Sequence, residues 1–163
     1  MADRTIQVQR ILSRFNKVLA VIASFLFVLI MLMTVLEVVL RYVFKSPTGW
    51  TLEVSQFLML IAIFLGAAYT LEIGAHIKVE FIVELLSGHT QRHVNVISSF
   101  LAIIFFSVLL WKSTELVWFN YQFDAVSFSM LAIPLFPIYI FMPIGSFFML
   151  LQGIMQLISN LKR

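Results

Sequence analysis

The chain has no cysteine, so it can form no disulfide, thiolate metal site or haem thioether, and its redox compartment is left open. Charge is nearly as scarce: Lys, Arg, Asp and Glu make up 12% of the 163 residues, against about 25% in ordinary soluble domains. With 61% of residues hydrophobic, a soluble globular protein is excluded. The excess of 11 Lys plus Arg over 8 Asp plus Glu leaves a formal charge of +3, gathered at the chain ends rather than in a patch suited to nucleic acid. No nucleic-acid partner is expected. An HExxH pair, a Gly-rich phosphate loop, a nucleophile elbow and facing carboxylates are all missing, so no catalytic residue is assigned and no enzyme activity is expected.

What the sequence has in quantity is Phe, at 17 residues, Met, at 8, and long uncharged runs. Between Lys17 and Glu37 lie 19 uncharged residues. At about 1.5 Å per helical residue they nearly cross a hydrocarbon core of about 30 Å. Segments 18–36, 54–71 and 94–111 each predict one membrane span. The run 125–161 holds 37 residues and as one straight helix would measure about 55 Å, too long for the core. Pro134, Pro137 and Pro143 divide it into a non-spanning lead-in over 125–133 and a fourth span over 136–158, kinked at Pro143. The first run is longer than a signal-peptide core and has no small-residue cleavage site after it, so it is read as a retained span. Residues 1–163 form a single membrane domain on this reading.

Positive residues are retained on the cytoplasmic side. Arg4, Arg10, Arg14, Lys17, Lys78, Arg92, Lys162 and Arg163 fall on one side, and Arg41, Lys45 and Lys112 on the other, so both termini are expected to be cytoplasmic. The expected fold is all-α and integral to the membrane: four transmembrane helices plus interfacial amphipathic helices, N-in/C-in. Before span one, Val8, Ile11, Leu12 and Phe15 share one helical face and Arg4, Gln7, Arg10, Arg14 and Lys17 the other. This predicts an interfacial helix over 4–17, or else an extension of span one with snorkelling basic residues. A second interfacial segment is predicted over 77–86, where Glu80 and Glu84 form an acidic stripe and either lipid or a partner covers the apolar remainder.

No ionisable residue falls at the middle of a span, where a self-sufficient ion-coupled carrier binds its coupling ion. Glu37 and Arg41, an i,i+4 step apart, read as a charge pair at a helix end rather than a transport site. Glu72 and Lys112 also lie at span ends. His76, His89 and His93 share one polar loop and read as solvated histidines rather than haem or metal ligands, so no metal or cofactor is assigned. Ala62, Gly66, Thr70 and Gly74 repeat every four residues, and with Gly145 and Gly153 they offer surfaces for close helix approach, within this chain or to a partner. Trp111, Trp118, Phe119, Tyr121 and Phe123 form an aromatic girdle at a headgroup level. Lys45-Ser46-Pro47-Thr48-Gly49-Trp50 makes a rigid basic outer turn, with Thr51 expected as N-cap and Glu53 as a dipole-favoured acid for span two.

The run Arg41-Tyr42-Val43-Phe44-Lys45-Ser46-Pro47, then Trp50 and Glu53, Phe64-Leu65-Gly66-Ala67-Ala68-Tyr69 and Gly74-Ala75-His76-Ile77-Lys78-Val79, resembles the small membrane subunit of tripartite ATP-independent periplasmic (TRAP) transporters. Ile133-Pro134, Tyr139 and Pro143-Ile144-Gly145 resemble that family's last-span pattern. The resemblance implies a sodium-coupled secondary uptake system for carboxylated organic solutes in a bacterial inner membrane. It also implies two partners: a periplasmic substrate-binding protein, and a large multi-span membrane subunit that binds substrate and sodium. The small subunit would brace the large one and bind no sodium itself. Motif positions carried over are Arg41, Pro47, Trp50, Glu53, Gly66, Gly74, His76, Pro134, Tyr139, Pro143 and Gly145. Lys45, Thr48 and Trp50 are the expected docking residues, because they lie on the predicted periplasmic turn. A haem-binding anchor of a respiratory enzyme and a self-sufficient four-span carrier are the alternatives. Whether the solute is a sialic acid, a dicarboxylate or another acid, and the copy number of the subunits, are left open.

Overall fold

The computed structural model describes residues 2–73, 88–129 and 131–162. They form helices α1 (Ala2–Tyr42), α2 (Thr51–Glu72), α3 (Gly88–Gln122), α4 (Phe136–Tyr139) and α5 (Phe141–Lys162). Four stretches are long and apolar enough to cross a membrane: Gln9–Tyr42, Thr51–Glu72, Val94–Gln122 and Phe136–Ile158. No strand occurs among the described residues; an isolated antiparallel bridge joins Val126 to Pro134. The predicted interfacial segment 77–86 and the position of Gly74 lie outside the described residues.

At 41 residues, α1 measures about 60 Å, twice the hydrocarbon thickness. No break separates 4–17 from the apolar run, so that segment continues span one as a single rod. Its inward face is a seam at spacings of four and three: Leu12, Asn16, Leu19, Ala23, Leu26, Ile30, Met33 and Glu37, all buried or half-buried. This 3.5-residue repeat keeps one stripe against a neighbouring helix. Ile11 and Phe15, expected to share the apolar face with Leu12, are each 56% exposed.

The helices pack in a row, α1 on α2, α2 on α5 and α5 on α3. Among the described residues α3 makes no close backbone approach to α1 or α2. Two small cores mark the seams. Ala23, Ala62 and Leu65 join α1 to α2, with Leu19, Leu26 and Phe141 around them. Ala68, Leu71, Phe106 and Met149 join α2, α3 and α5. At Gly145 a Cβ atom would fall 2.8 Å from the carbonyl carbon of Phe64 and against its oxygen, so only glycine lets α5 lie this close to α2. Gly66 faces Ala23 with more room, its notional Cβ lying 3.4 Å from the alanine's.

The fourth span is interrupted at Ile140, three residues before Pro143. Proline has no N–H for the carbonyl four residues back, here that of Tyr139, and its ring crowds that carbonyl. Where a kink is expected at Pro143, the helix is instead interrupted one turn upstream. Helix α3 continues well past Trp111, to Gln122, and carries Lys112 paired with Glu115 at 2.7 Å on its exposed face. Between α3 and α4 the chain folds back as an irregular hairpin, held by Ser127 N–H to the Ile133 carbonyl (2.9 Å) and Leu135 N–H to the Ala125 carbonyl (2.9 Å).

Candidate functional site

Among the described residues, a cluster of polar side chains lies at each end of the α1–α2 seam. At the end near residues 43–50, Glu37 is 8% exposed. One carboxylate oxygen accepts from the Arg41 guanidinium at 3.0 Å; the other accepts from the Thr48 backbone N–H at 3.2 Å and from the Thr48 hydroxyl. The Thr48 hydroxyl also meets that of Thr51, which is 2% exposed. Ser46 N–H bonds the Leu40 carbonyl at 3.1 Å. The Glu37–Arg41 pair is thus half of a clamp that fastens the turn to the end of α1, and Thr48 supplies the other half.

Thr51 does not cap α2. The N-cap position is Trp50, which makes no side-chain capping bond, and Thr51 is the first helical residue. Its hydroxyl turns to Thr48 because both face the buried clamp. Glu53 does lie in the first turn of α2, and both its carboxylate oxygens are buried without a hydrogen-bond partner among the described residues. Of the three expected docking residues, Lys45 and Trp50 are exposed, whereas Thr48 is half-buried and committed to Glu37. Lys45 sits at φ 52, a left-handed conformation that costs a non-glycine residue about 1–2 kcal/mol.

At the opposite end Asn16 is fully buried. Its amide donates to Glu72 at 2.9 Å and to the Gln152 side-chain oxygen at 3.4 Å, which ties α1, α2 and α5 together. Sequence reasoning missed this junction. Its signal was the seam itself, since Asn16 and Glu37 occupy equivalent places at the two ends of one apolar stripe.

The small-residue stripe divides between neighbours. Ala62 is fully buried and Gly66 faces α1, while Thr70 turns its hydroxyl to its own helix at the Gly66 carbonyl (3.1 Å). Gly153 packs on Ile103 and Phe106 of α3, its notional Cβ 3.5 Å from each. In the girdle Trp111, Trp118, Phe119, Tyr121 and Phe123 are all exposed, and the Tyr121 ring packs at a tilt against Phe136, centroids 5.0 Å apart, linking α3 to α4. His76 lies outside the described residues; His89 and His93 fall in the first turns of α3. Among the described residues no three His, Cys, Asp or Glu side chains converge as metal ligands would.

Residues 30–163 match the family described as "Tripartite ATP-independent periplasmic transporters, DctQ component". A relative from Haemophilus influenzae, named "Putative TRAP transporter small permease protein", is 27% identical over 114 residues, covering 70% of this chain and 68% of its own length.

Proposed function

The chain belongs to the DctQ component family of tripartite ATP-independent periplasmic transporters, a family of small membrane subunits, and from that membership we propose that it braces a larger membrane subunit and performs no chemistry itself. On this reading the complex is a sodium-coupled secondary transporter for carboxylated organic solutes, and the large multi-span partner binds both solute and sodium. The chain lies in a bacterial inner membrane with both termini cytoplasmic, and the turn 43–50 faces the periplasm, where Lys45 and Trp50 meet the substrate-binding protein.

The observation that carries the bracing role is how little of itself the chain covers. Within the most apolar windows only 6% of residues in the first span and 11% in the third are buried, against 22% in each of the other two. The two edge helices of the row therefore offer broad apolar faces to a partner. The clamp supports the docking role, because a turn fastened by Glu37 presents Lys45 and Trp50 without first having to be ordered. Uptake assays test both parts. Liposomes carrying this chain alone should take up no solute, and activity should appear only when the large subunit is added. Lys45→Glu together with Trp50→Ala should weaken uptake at limiting binding protein and be relieved when that protein is in excess. Transport by the chain alone would overturn the bracing role, and unchanged uptake in the double variant would overturn the docking role.

A further inference from the structure

A cavity of about 530 Å³ opens at the end of the row where α1 begins. That is within the roughly 300–1,000 Å³ typical of small-ligand sites. Its walls differ in sign. Arg10 and Arg14, one turn apart on α1, line one side, and Glu72, at the carbonyl end of α2, lines another. A helix C-terminus adds negative potential to that second wall. Ser13, Gln152 and Gln156 supply neutral hydrogen-bonding groups between them.

The depth is that of lipid headgroups. The uncharged run of α1 starts at Val18, α2 ends at Glu72, and the spanning stretch that includes α5 ends at Ile158. Behind the acidic wall the buried Asn16 amide holds one Glu72 oxygen at 2.9 Å and so fixes the carboxylate in place. The Glu72 carboxylate and the Gln152 side-chain oxygen both line the cavity, and a cation rich in N–H donors is their complementary group. The arginines opposite suit a phosphate, which takes paired donors from guanidinium.

We propose that this cavity seats the headgroup of a phospholipid carrying both a phosphate and a primary amine, with the phosphate on Arg10 and Arg14 and the ammonium on Glu72. An anionic diol headgroup leaves Glu72 facing no positive charge, and a quaternary amine offers it no N–H donor. The α1 wall lies outside residues 30–163, which carry the family match. The acidic wall lies within them, and the seat rests on the chain's place in the membrane rather than on the transport role proposed above.

Native mass spectrometry of the full chain in mild detergent, with equal amounts of phosphatidylethanolamine, phosphatidylcholine and phosphatidylglycerol, provides the test. One ethanolamine lipid should be retained, with a preference of about tenfold over either competitor. Arg10→Gln with Arg14→Gln, both exposed positions, should abolish retention, while Lys17→Gln, exposed and off the cavity, should leave it intact. Glu72→Gln keeps an oxygen for Asn16, so the fold is preserved, and it should erase the preference for ethanolamine over glycerol while a lipid is still held. Excess inorganic phosphate should not displace the lipid. Equal retention of all three lipids, a preference for glycerol, the same loss from Lys17→Gln as from the arginine pair, or displacement by phosphate would each overturn the proposal.

Discussion

Thr48 and Arg41 both bind Glu37, and their burial separates what each contributes. Arg41 has a side chain 53% exposed, so water screens its pairing, as for most surface ion pairs. Thr48 reaches the same carboxylate from the turn, with its hydroxyl and its backbone N–H. Thr48→Val should therefore lower the thermal unfolding midpoint in detergent more than Arg41→Gln does, and only the latter effect should fade with added salt. A second contrast lies between two glycines. Gly145→Ala forces a methyl against the Phe64 carbonyl and should cost about 1–3 kcal/mol, as overpacking does. Gly66→Ala meets only the Ala23 methyl at ordinary contact distance and should be near neutral, as chemical denaturation of the two variants will show. The sequence made Glu37–Arg41 legible because i,i+4 partners are fixed by helix geometry alone. Thr48, 11 residues from Glu37, and Glu72, 56 residues from Asn16, were not legible as partners, because no local spacing encodes a contact between helices.

Among the elements, the fourth span shows how one residue sets a boundary it does not occupy. Pro143 lies inside α5, yet the helix breaks at Ile140, because the missing donor and the crowded carbonyl act one turn back. Pro143→Ala supplies an N–H to the Tyr139 carbonyl and should fuse α4 and α5 into one helix. Two readouts check this. The new backbone amide at position 143 should exchange slowly, and the Tyr121–Phe136 contact that α4 provides should loosen, changing the near-ultraviolet dichroism. A fast-exchanging amide would mean that the break is imposed by packing rather than by proline. The existence of the span followed from hydrophobic length, and the division of 125–161 from its prolines. The far end of α3 was hidden for the opposite reason: Lys112 reads as a span terminus, yet a helix leaving the hydrocarbon can run on with its charges in water, and α3 does so to Gln122. The N-terminal segment kept two readings because amphipathic periodicity is the same for a helix lying on a membrane and for one prolonging a span.

For the whole molecule, composition settled residence in the membrane but not arrangement, since lipid-facing and protein-facing residues are equally apolar once water is absent. Four spans predict a closed bundle as readily as a row. What selects the row is the placement of small side chains: Ala62, Gly66 and Ala68 on α2 and Gly145 and Gly153 on α5 let the two central helices accept neighbours on both sides, while α1 packs chiefly on α2 and α3 on α5. The outer faces of those edge helices are the surfaces a bracing subunit would use, and the absence of cysteine makes them addressable one residue at a time. Phe25 on α1 is 69% exposed and Phe105 on α3 is 61% exposed, whereas Ala23 on the α1–α2 seam is 3% exposed. Single substitutions Phe25→Cys, Phe105→Cys and Ala23→Cys, each carrying a photo-crosslinker, can be compared in native membranes. A covalent adduct with a larger multi-span polypeptide is expected from at least one of the edge positions, and Ala23→Cys should label only after unfolding. If one edge alone gives the adduct, that edge faces the transport subunit and the other faces lipid. If neither does, while the seam position stays protected, the row stands as described and the bracing role built upon it falls.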